Sequence, residues 1–260
     1  MQLNGRVVLL TGASRGLGRA LAEALGARGA RVACVARDPA GLAEVVEAVR
    51  ARGGEARAFA FDLLRVEACD ELVARVEREL GPLSVLVANA GMATAGEVEA
   101  LAIADFEKNL RGNFLAAAAL TRAALPGLRE RGGALCYLLS GLALRPIPAF
   151  STYAAAKAAL RAYAESLRIE LAGSRVRVLT VQPGSLQTDF LARMERVGEP
   201  RILMPGAAAP PERVAAAVVR ALERERARLV VRGRGWLVGQ LDHFAPWLVD
   251  RLLARRYHRP

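Results

Sequence analysis

Tyr153 and Lys157 stand four residues apart in Ser151–Leu171, a segment that reads as a helix. That spacing puts both side chains on one helical face. A free Tyr phenol, with a pKa of about 10, is a poor proton donor or acceptor at neutral pH. A cation held beside it stabilises the phenolate and lowers that pKa. YxxxK is a common surface pair, and composition argues against that reading here. Of 37 basic residues only Lys108 and Lys157 are lysines, and Lys157 is set among Ala154, Ala155, Ala156, Ala158 and Ala159. In a chain that otherwise writes positive charge as Arg, a compact ammonium with rotatable donors replaces the planar fork at this place. Ser140 ends a strand-like run, which aims its hydroxyl at the same crevice.

A second constellation lies near the N-terminus. A strand-like run ends in Thr11-Gly12-Ala13-Ser14-Arg15-Gly16-Leu17-Gly18, and a helical pattern begins inside it. Glycines allow a tight turn and close approach of the backbone to a pyrophosphate, whose charge suits a helix N-terminus. The spacing is GxxxGxG rather than the commoner GxGxxG. An ordinary glycine-rich turn is the plainer reading; the position between a strand and a helix favours the phosphate loop. The next strand ends Val35-Ala36-Arg37-Asp38. An acid at such a tip accepts hydrogen bonds from an adenosine ribose, whereas an Arg suits a 2′-phosphate. Ala36 is read as the tip, so that Arg37 and Arg15 flank that phosphate and NADP(H) is preferred over NAD(H). Were Asp38 the tip, NAD would be preferred; as a further alternative, both Arg are solvated surface charges of an Arg-rich chain.

These residues need elements to hold them. Nearly continuous apolar runs at Val7–Thr11, Val32–Ala36, Arg57–Phe61, Val85–Ala88, Leu135–Leu139 and Val176–Val181 read as strands of a sheet covered on both faces. Helical patterns fall between them at Leu17–Arg28, Ala40–Arg52, Val66–Leu80, Asp105–Arg131 and Ser151–Leu171, with a further helix at Pro211–Arg224 and a seventh strand at Leu229–Val231. This alternation predicts an α/β fold: a doubly wound parallel sheet with right-handed crossovers. At 260 residues, 53% hydrophobic, the chain suits one large domain. Asp62, followed by Leu63, and Asn89-Ala90-Gly91 fall at C-terminal strand ends, where ligands bind in open sheets. Each could equally be a turn or cap residue.

At this point the chain resembles the short-chain dehydrogenases/reductases over roughly residues 5–190. The resemblance rests on Thr11–Gly18, Asp62, Asn89-Ala90-Gly91, Asn113, Ser140 placed 13 residues before Tyr153, Lys157, Pro183-Gly184 and Thr188. It implies a Rossmann fold and a nicotinamide cofactor. It implies that Tyr153 passes a proton to or from the substrate oxygen, that Ser140 hydrogen-bonds that oxygen, and that Lys157 lowers the Tyr153 pKa and binds the nicotinamide ribose. Asn113 would hold a water in the proton relay; neighbouring Asn109 shows that an Asn in this helix need not be catalytic. Gly12, Ser14, Arg15, Gly16, Leu17, Gly18, Arg37, Asp62, Leu63, Asn89, Ala90, Gly91, Tyr153, Lys157, Pro183, Gly184 and Thr188 would contact the cofactor. The implied protein is a homo-oligomer, dimer or tetramer, acting on a small-molecule carbonyl/alcohol pair. Leu142, Leu144, Ile147, Phe150, Phe190 and Met194 flank the site and point to an apolar substrate, with plain core packing as the alternative.

The expected domain boundaries are 1–232 for the oxidoreductase domain, with a substrate loop about 185–210, and 233–260 for a C-terminal helical extension. Here the chain departs from the glycine-rich tetramer-packing strand of well-known bacterial members. Leu237, Leu241, Phe244, Leu248 and Leu252 recur along one side of a helical path, which Pro246 kinks or restarts, and Arg251, Arg255, Arg256 and Arg259 add charge at its end. Trp236, Trp247, His243 and His258 lie in the same tail. It fits a packed helix, a lid over an apolar site, or an interfacial anchor.

The formal charge of +11 raises the question of nucleic acid, yet aromatic residues are only 5% and no helix-turn-helix or zinc-finger spacing occurs. Three cysteines without a CxxC exclude a disulfide scaffold and a thiolate zinc site, and no metal is expected. The first strand begins too early for a signal peptide and no long uncharged apolar run occurs, so a cytoplasmic protein, peripheral to the membrane at most, is expected. A cofactor-binding scaffold on the same fold and a membrane-surface protein acting on lipid substrates remain as alternatives.

Overall fold

The computed structural model describes residues 1–203, 208–231, 242 and 244–258. Seven parallel strands form its centre: β1 (Val7–Thr11), β2 (Arg31–Ala36), β3 (Glu55–Ala60), β4 (Leu83–Ala88), β6 (Gly133–Leu138), β7 (Val176–Gln182) and β9 (Arg228–Val230). Their order is β3-β2-β1-β4-β6-β7-β9. The order reverses between β1 and β4, so the crevice at their C-terminal ends is the switch point of a doubly wound sheet. β1, β2 and β4 are buried almost throughout, because helices cover both faces.

One face packs against α1 (Gly16–Gly26), α2 (Pro39–Arg50) and α7 (Pro211–Glu223). The other packs against α3 (Cys69–Leu80), α5 (Ala116–Arg131) and α6 (Ser151–Glu170). α4 (Ile103–Leu110) runs into α5 through a π-turn at Arg111–Leu115. Such turns insert one residue into a helical turn and occur often at functional sites. The chain is a single α/β domain of Rossmann type.

The expected elements are present, with differences at their edges. β3 does not carry the continuous apolar run expected at Arg57–Phe61. As an edge strand with one neighbour it buries Ala56 and Phe59 and exposes Glu55, Arg57, Ala58 and Ala60. β6 stops at Leu138, so Ser140 lies two residues beyond the strand and caps a short 3-10 turn, its hydroxyl accepting from the Leu142 amide at 3.2 Å. A second, two-stranded sheet pairs β5 (Thr94–Ala95) with β8 (Glu195–Arg196). Two-residue strands carry no periodicity, and this pairing was not foreseen. Pro246 begins α8 (Pro246–Tyr257) as its first-turn residue, where its missing N–H costs nothing. Trp236, Leu237, Leu241, His243, Arg259 and the 232/233 boundary lie outside the described residues.

Candidate active site

One cavity of about 1460 Å³ opens at the switch point and continues toward α8. Its inner half is built of backbone. Gly12 and Gly16 adopt φ of +65° and +53°, which favour glycine. A Cβ on Gly18 would meet the Gly12 carbonyl at 1.9 Å, so the first turn of α1 packs directly on the preceding loop. Arg15, the N-cap of α1, makes no side-chain cap bond, which leaves the first-turn amides available to an anion. Thr11 and Asn89 join the two sides of the switch point. The Thr11 hydroxyl accepts from the Asn89 and Ala90 amides, both at 3.0 Å, and Asn89 Nδ2 donates to the Thr11 carbonyl at 2.9 Å.

β2 ends at Ala36, so Arg37 is the first residue past the tip. Asp38 occupies the N-cap position of α2, and its Oδ2 lies 2.7 Å from where a Gly41 Cβ would stand. All three border the cavity. Asp62 also borders it, with Oδ1 accepting from the Leu64 amide at 3.0 Å. On the opposite side Pro183, Gly184 and Thr188 follow β7 into the cavity wall.

The floor carries Ser140, Tyr153 and Lys157. Tyr153 is 8% exposed and Lys157 2%. Lys157 Nζ lies 5.9 Å from the Tyr153 ring centroid and donates to the Leu138 carbonyl at 3.0 Å. Burial pushes the Tyr153 phenol up to about 12, with a hydrogen bond from Ser140 pulling the other way. Burial pushes Lys157 down to about 8. In the protein alone the phenol is thus raised, not lowered as expected: burial dominates, and Ser140 rather than Lys157 opposes it. At neutral pH Tyr153 holds its proton.

Asn113 lies behind the cavity surface, its Oδ1 and Lys157 Nζ both against Gly91. It sits in the π-turn and is 1% exposed. Its Oδ1 accepts from the Met92 amide at 3.2 Å, and Nδ2 donates to the Met92 and Asn109 carbonyls at 2.8 and 2.9 Å. The side chain thus holds the backbone that follows Gly91. Asn109 is no surface residue either: it is fully buried and donates to the Thr94 hydroxyl at 3.0 Å.

The outer half of the cavity is apolar. Phe150, Tyr153 and Met194 form a small cluster with Leu142, Ile147 and Phe190 packed on it, and the Tyr153 and Phe190 rings lie 5.5 Å apart. Sequence reasoning missed Arg145 and Leu253, which also border the cavity, as does Arg256 of the tail for which a lid was one reading. Nothing local marks Arg145, which reaches the cavity from a loop.

The chain belongs to the short-chain dehydrogenase family, whose description matches residues 6–197. The protein is an NAD(P)-dependent oxidoreductase acting on CH–OH or carbonyl groups. It is 37% identical over 230 residues to the ketoacyl reductase HetN of Nostoc sp., covering 88% of this chain and 79% of that one. Among solved structures it is similar to a short-chain dehydrogenase from Streptomyces avermitilis, with TM-score 0.82, 33% identity and coverage of 96% and 98%. An alcohol dehydrogenase from the archaeon Thermococcus sibiricus, complexed with 5-hydroxy-NADP, has TM-score 0.77 and 28% identity, covering 88% of this chain and 97% of that one.

Proposed function

We propose that the protein reduces the carbonyl group of a small apolar compound with NADPH, or runs the reverse oxidation. The observation that carries this reading is the convergence of Ser140, Tyr153 and Lys157 on the floor of a cavity with a backbone-built half and an apolar half. The glycine cradle and the uncapped amides of α1 fit a dinucleotide pyrophosphate. Gly12, Ser14, Arg15, Gly16, Leu17, Gly18, Asp62, Leu63, Asn89, Ala90 and Gly91 would hold the adenosine and phosphate portion. Pro183, Gly184, Thr188 and Lys157 would hold the nicotinamide portion. When bound, the cofactor supplies or accepts the hydride.

The chain's own residues do the rest. A protonated Tyr153 is ready to give its proton to the carbonyl oxygen, the hydroxyl of Ser140 donates to that oxygen, and Lys157 places positive charge beneath both. Asn113 fixes the backbone after Gly91, over which Lys157 lies. Arg37 directly past the β2 tip, with Arg15 across the loop, supports NADPH over NADH. Cys34, Cys69 and Cys136 are buried free thiols, pushed up to about 12, 11 and 12 mainly by burial; such thiols are inert and suit a reducing compartment. The test is a panel of apolar ketones and aldehydes with NADPH and with NADH, followed at the nicotinamide absorbance. No turnover of any of them with either cofactor overturns the reading.

A second reading, association with a membrane surface, is favoured by α8 and its approach. Phe244, Trp247 and Leu252 are exposed by 81, 66 and 51% beside exposed Arg251 and Arg255. No helix among the described residues is long and apolar enough to cross a membrane. Amphipathic helices of this kind bind anionic lipid surfaces, and salt weakens them. Co-sedimentation with anionic vesicles at low salt checks it; no binding removes it.

A further inference from the structure

The substrate half of the cavity has a roof that takes no part in the sheet. α8 presents Leu253 and Arg256 to the cavity and buries Val249. Side chains from three surrounding loops hold it down. Arg145, five residues past Ser140, donates a hydrogen bond to Asp250 of α8 at 2.5 Å and forms an ion pair, without hydrogen-bond geometry, at 2.8 Å with Asp242, four residues ahead of the helix. The Tyr257 hydroxyl donates to Glu97 at 2.7 Å, and Arg201 donates to the Tyr257 carbonyl at 3.0 Å. Glu97 follows β5, and Arg201 belongs to the substrate loop.

Among these tethers Arg145 has the most to hold with. Its side chain is 18% exposed and that of Asp242 21%, so this pair is screened less than an ordinary surface pair. Asp250, 69% exposed, adds a weaker arm. The planar guanidinium reaches both carboxylates from one rigid group, hydrogen-bonding Asp250 and lying in charge contact with Asp242. Arg145 is itself fixed at the base: its amide donates to the Gly141 carbonyl at 3.0 Å, in the turn capped by Ser140. The roof is therefore tied directly to the turn that carries Ser140.

We propose that Arg145 is a specificity-determining positioning residue, clasping α8 over the site through Asp242 and Asp250 so that it favours carbonyl compounds whose apolar body is enclosed beneath Leu253. This rests on the carbonyl-reductase reading for the chemistry and goes beyond it for the choice of substrate. With the clasp intact, an apolar body is buried on all sides and gains the full transfer energy of its surface. With the clasp broken, α8 lifts, water reaches that surface and the gain is lost, while the floor around Tyr153 is unchanged.

The test uses the full chain with Arg145→Met, Arg145→Lys, and Asp242→Asn combined with Asp250→Asn. The first measurement is amide hydrogen exchange across residues 246–257, which needs no substrate. Exchange there should rise about tenfold in Arg145→Met and in the double Asn variant, with Arg145→Lys between them and wild type. The second is steady-state reduction of unbranched aldehydes of increasing length. KM for the longer ones should rise about tenfold in the double Asn variant, which alters no residue bordering the cavity, while kcat stays within about twofold. Unchanged exchange overturns the clasp. Raised exchange with an unchanged KM series overturns the selectivity. An equal fall of kcat and kcat/KM for all lengths, unrelieved in Arg145→Lys, shows a merely structural role and also overturns it. If wild type reduces no aldehyde or ketone with either cofactor, the carbonyl reading fails; the selectivity falls with it, and exchange alone then decides the clasp.

Discussion

The two halves of the cavity are made of different material. The half at β1 and β4 is backbone: glycines packed on carbonyls, an uncapped helix start, and amides bound to the Thr11 hydroxyl. The half toward α8 is side chains reaching across long stretches of chain: Arg145 to Asp242 and Asp250, Tyr257 to Glu97, and Lys108 to Glu195 at 2.5 Å. A backbone site can present the same shape to the same ligand in many chains. A site of distant side-chain pairs can be changed one loop at a time. The difference matches a division of labour between a common cofactor and a variable substrate, with Tyr153 and Lys157 at the boundary.

The largest expected effect lies at that boundary. Tyr153→Phe keeps the ring that packs on Phe190 and removes the proton. It should lower kcat by about 10²–10⁴-fold with cofactor affinity unchanged, as read by steady-state kinetics and by nicotinamide fluorescence titration. A kcat near wild type would remove Tyr153 from the chemistry and leave the two halves without a common centre.

The backbone half can be broken by a single methyl. Gly18→Ala puts a Cβ 1.9 Å from the Gly12 carbonyl oxygen and 2.8 Å from Asn89 Nδ2, a side chain itself tied to the Thr11 and Gly12 carbonyls. Overpacking of this kind costs about 1–3 kcal/mol, and the displaced α1 start should lose cofactor affinity as well. Gly141→Ala, in the substrate half, meets nothing within 4 Å and should leave the melting midpoint almost unmoved. Equal shifts in the two variants, by thermal denaturation, would contradict the contrast between the halves. Arg37→Ala sharpens it from the other side. A charge-assisted bond to the 2′-phosphate is worth about 1.5–3 kcal/mol, so KM for NADPH should rise about tenfold or more while that for NADH changes little. Equal losses would mean that Asp38 reads the ribose.

Legibility follows the same line. The sheet, the glycine loop and the Ser140/Tyr153/Lys157 set were readable because each is a local pattern: a period, a strand-to-helix turn, a spacing of four. Lys157 was readable for a second reason, as a rare ammonium among alanines. Arg145 was not, being one Arg among 35, with partners 97 and 105 residues away. Asn113 was legible only through the family resemblance, because its burial comes from a π-turn, which leaves no trace in hydrophobic period. The β5–β8 pairing is two residues long, below any periodic signal.

The smallest expected effect concerns Lys157 and the cost of holding it. Its ordinary value of 10.5 falls to about 8 in the fold, from burial. Between those values the unfolded chain keeps a proton that the folded protein gives up, so the contribution of this group to stability should rise with pH across that window. Below about 8 both states are protonated and the full penalty of the buried charge is present. Lys157→Met removes the titration. In cofactor-free protein its stability advantage over wild type should be greatest at pH 7–8 and shrink as pH approaches 10.5, measured by urea midpoints. Tyr153, raised from 10 to about 12, and the three buried cysteines, raised from 9, act with the opposite sign, stability being lost as pH rises, but they are common to both proteins and cancel in the difference. A difference between wild type and Lys157→Met that stays constant from pH 7 to 10 would mean that the ammonium is not desolvated. The boundary between the two halves would then be wet, and the proton on Tyr153 would be held by solvent rather than by the fold.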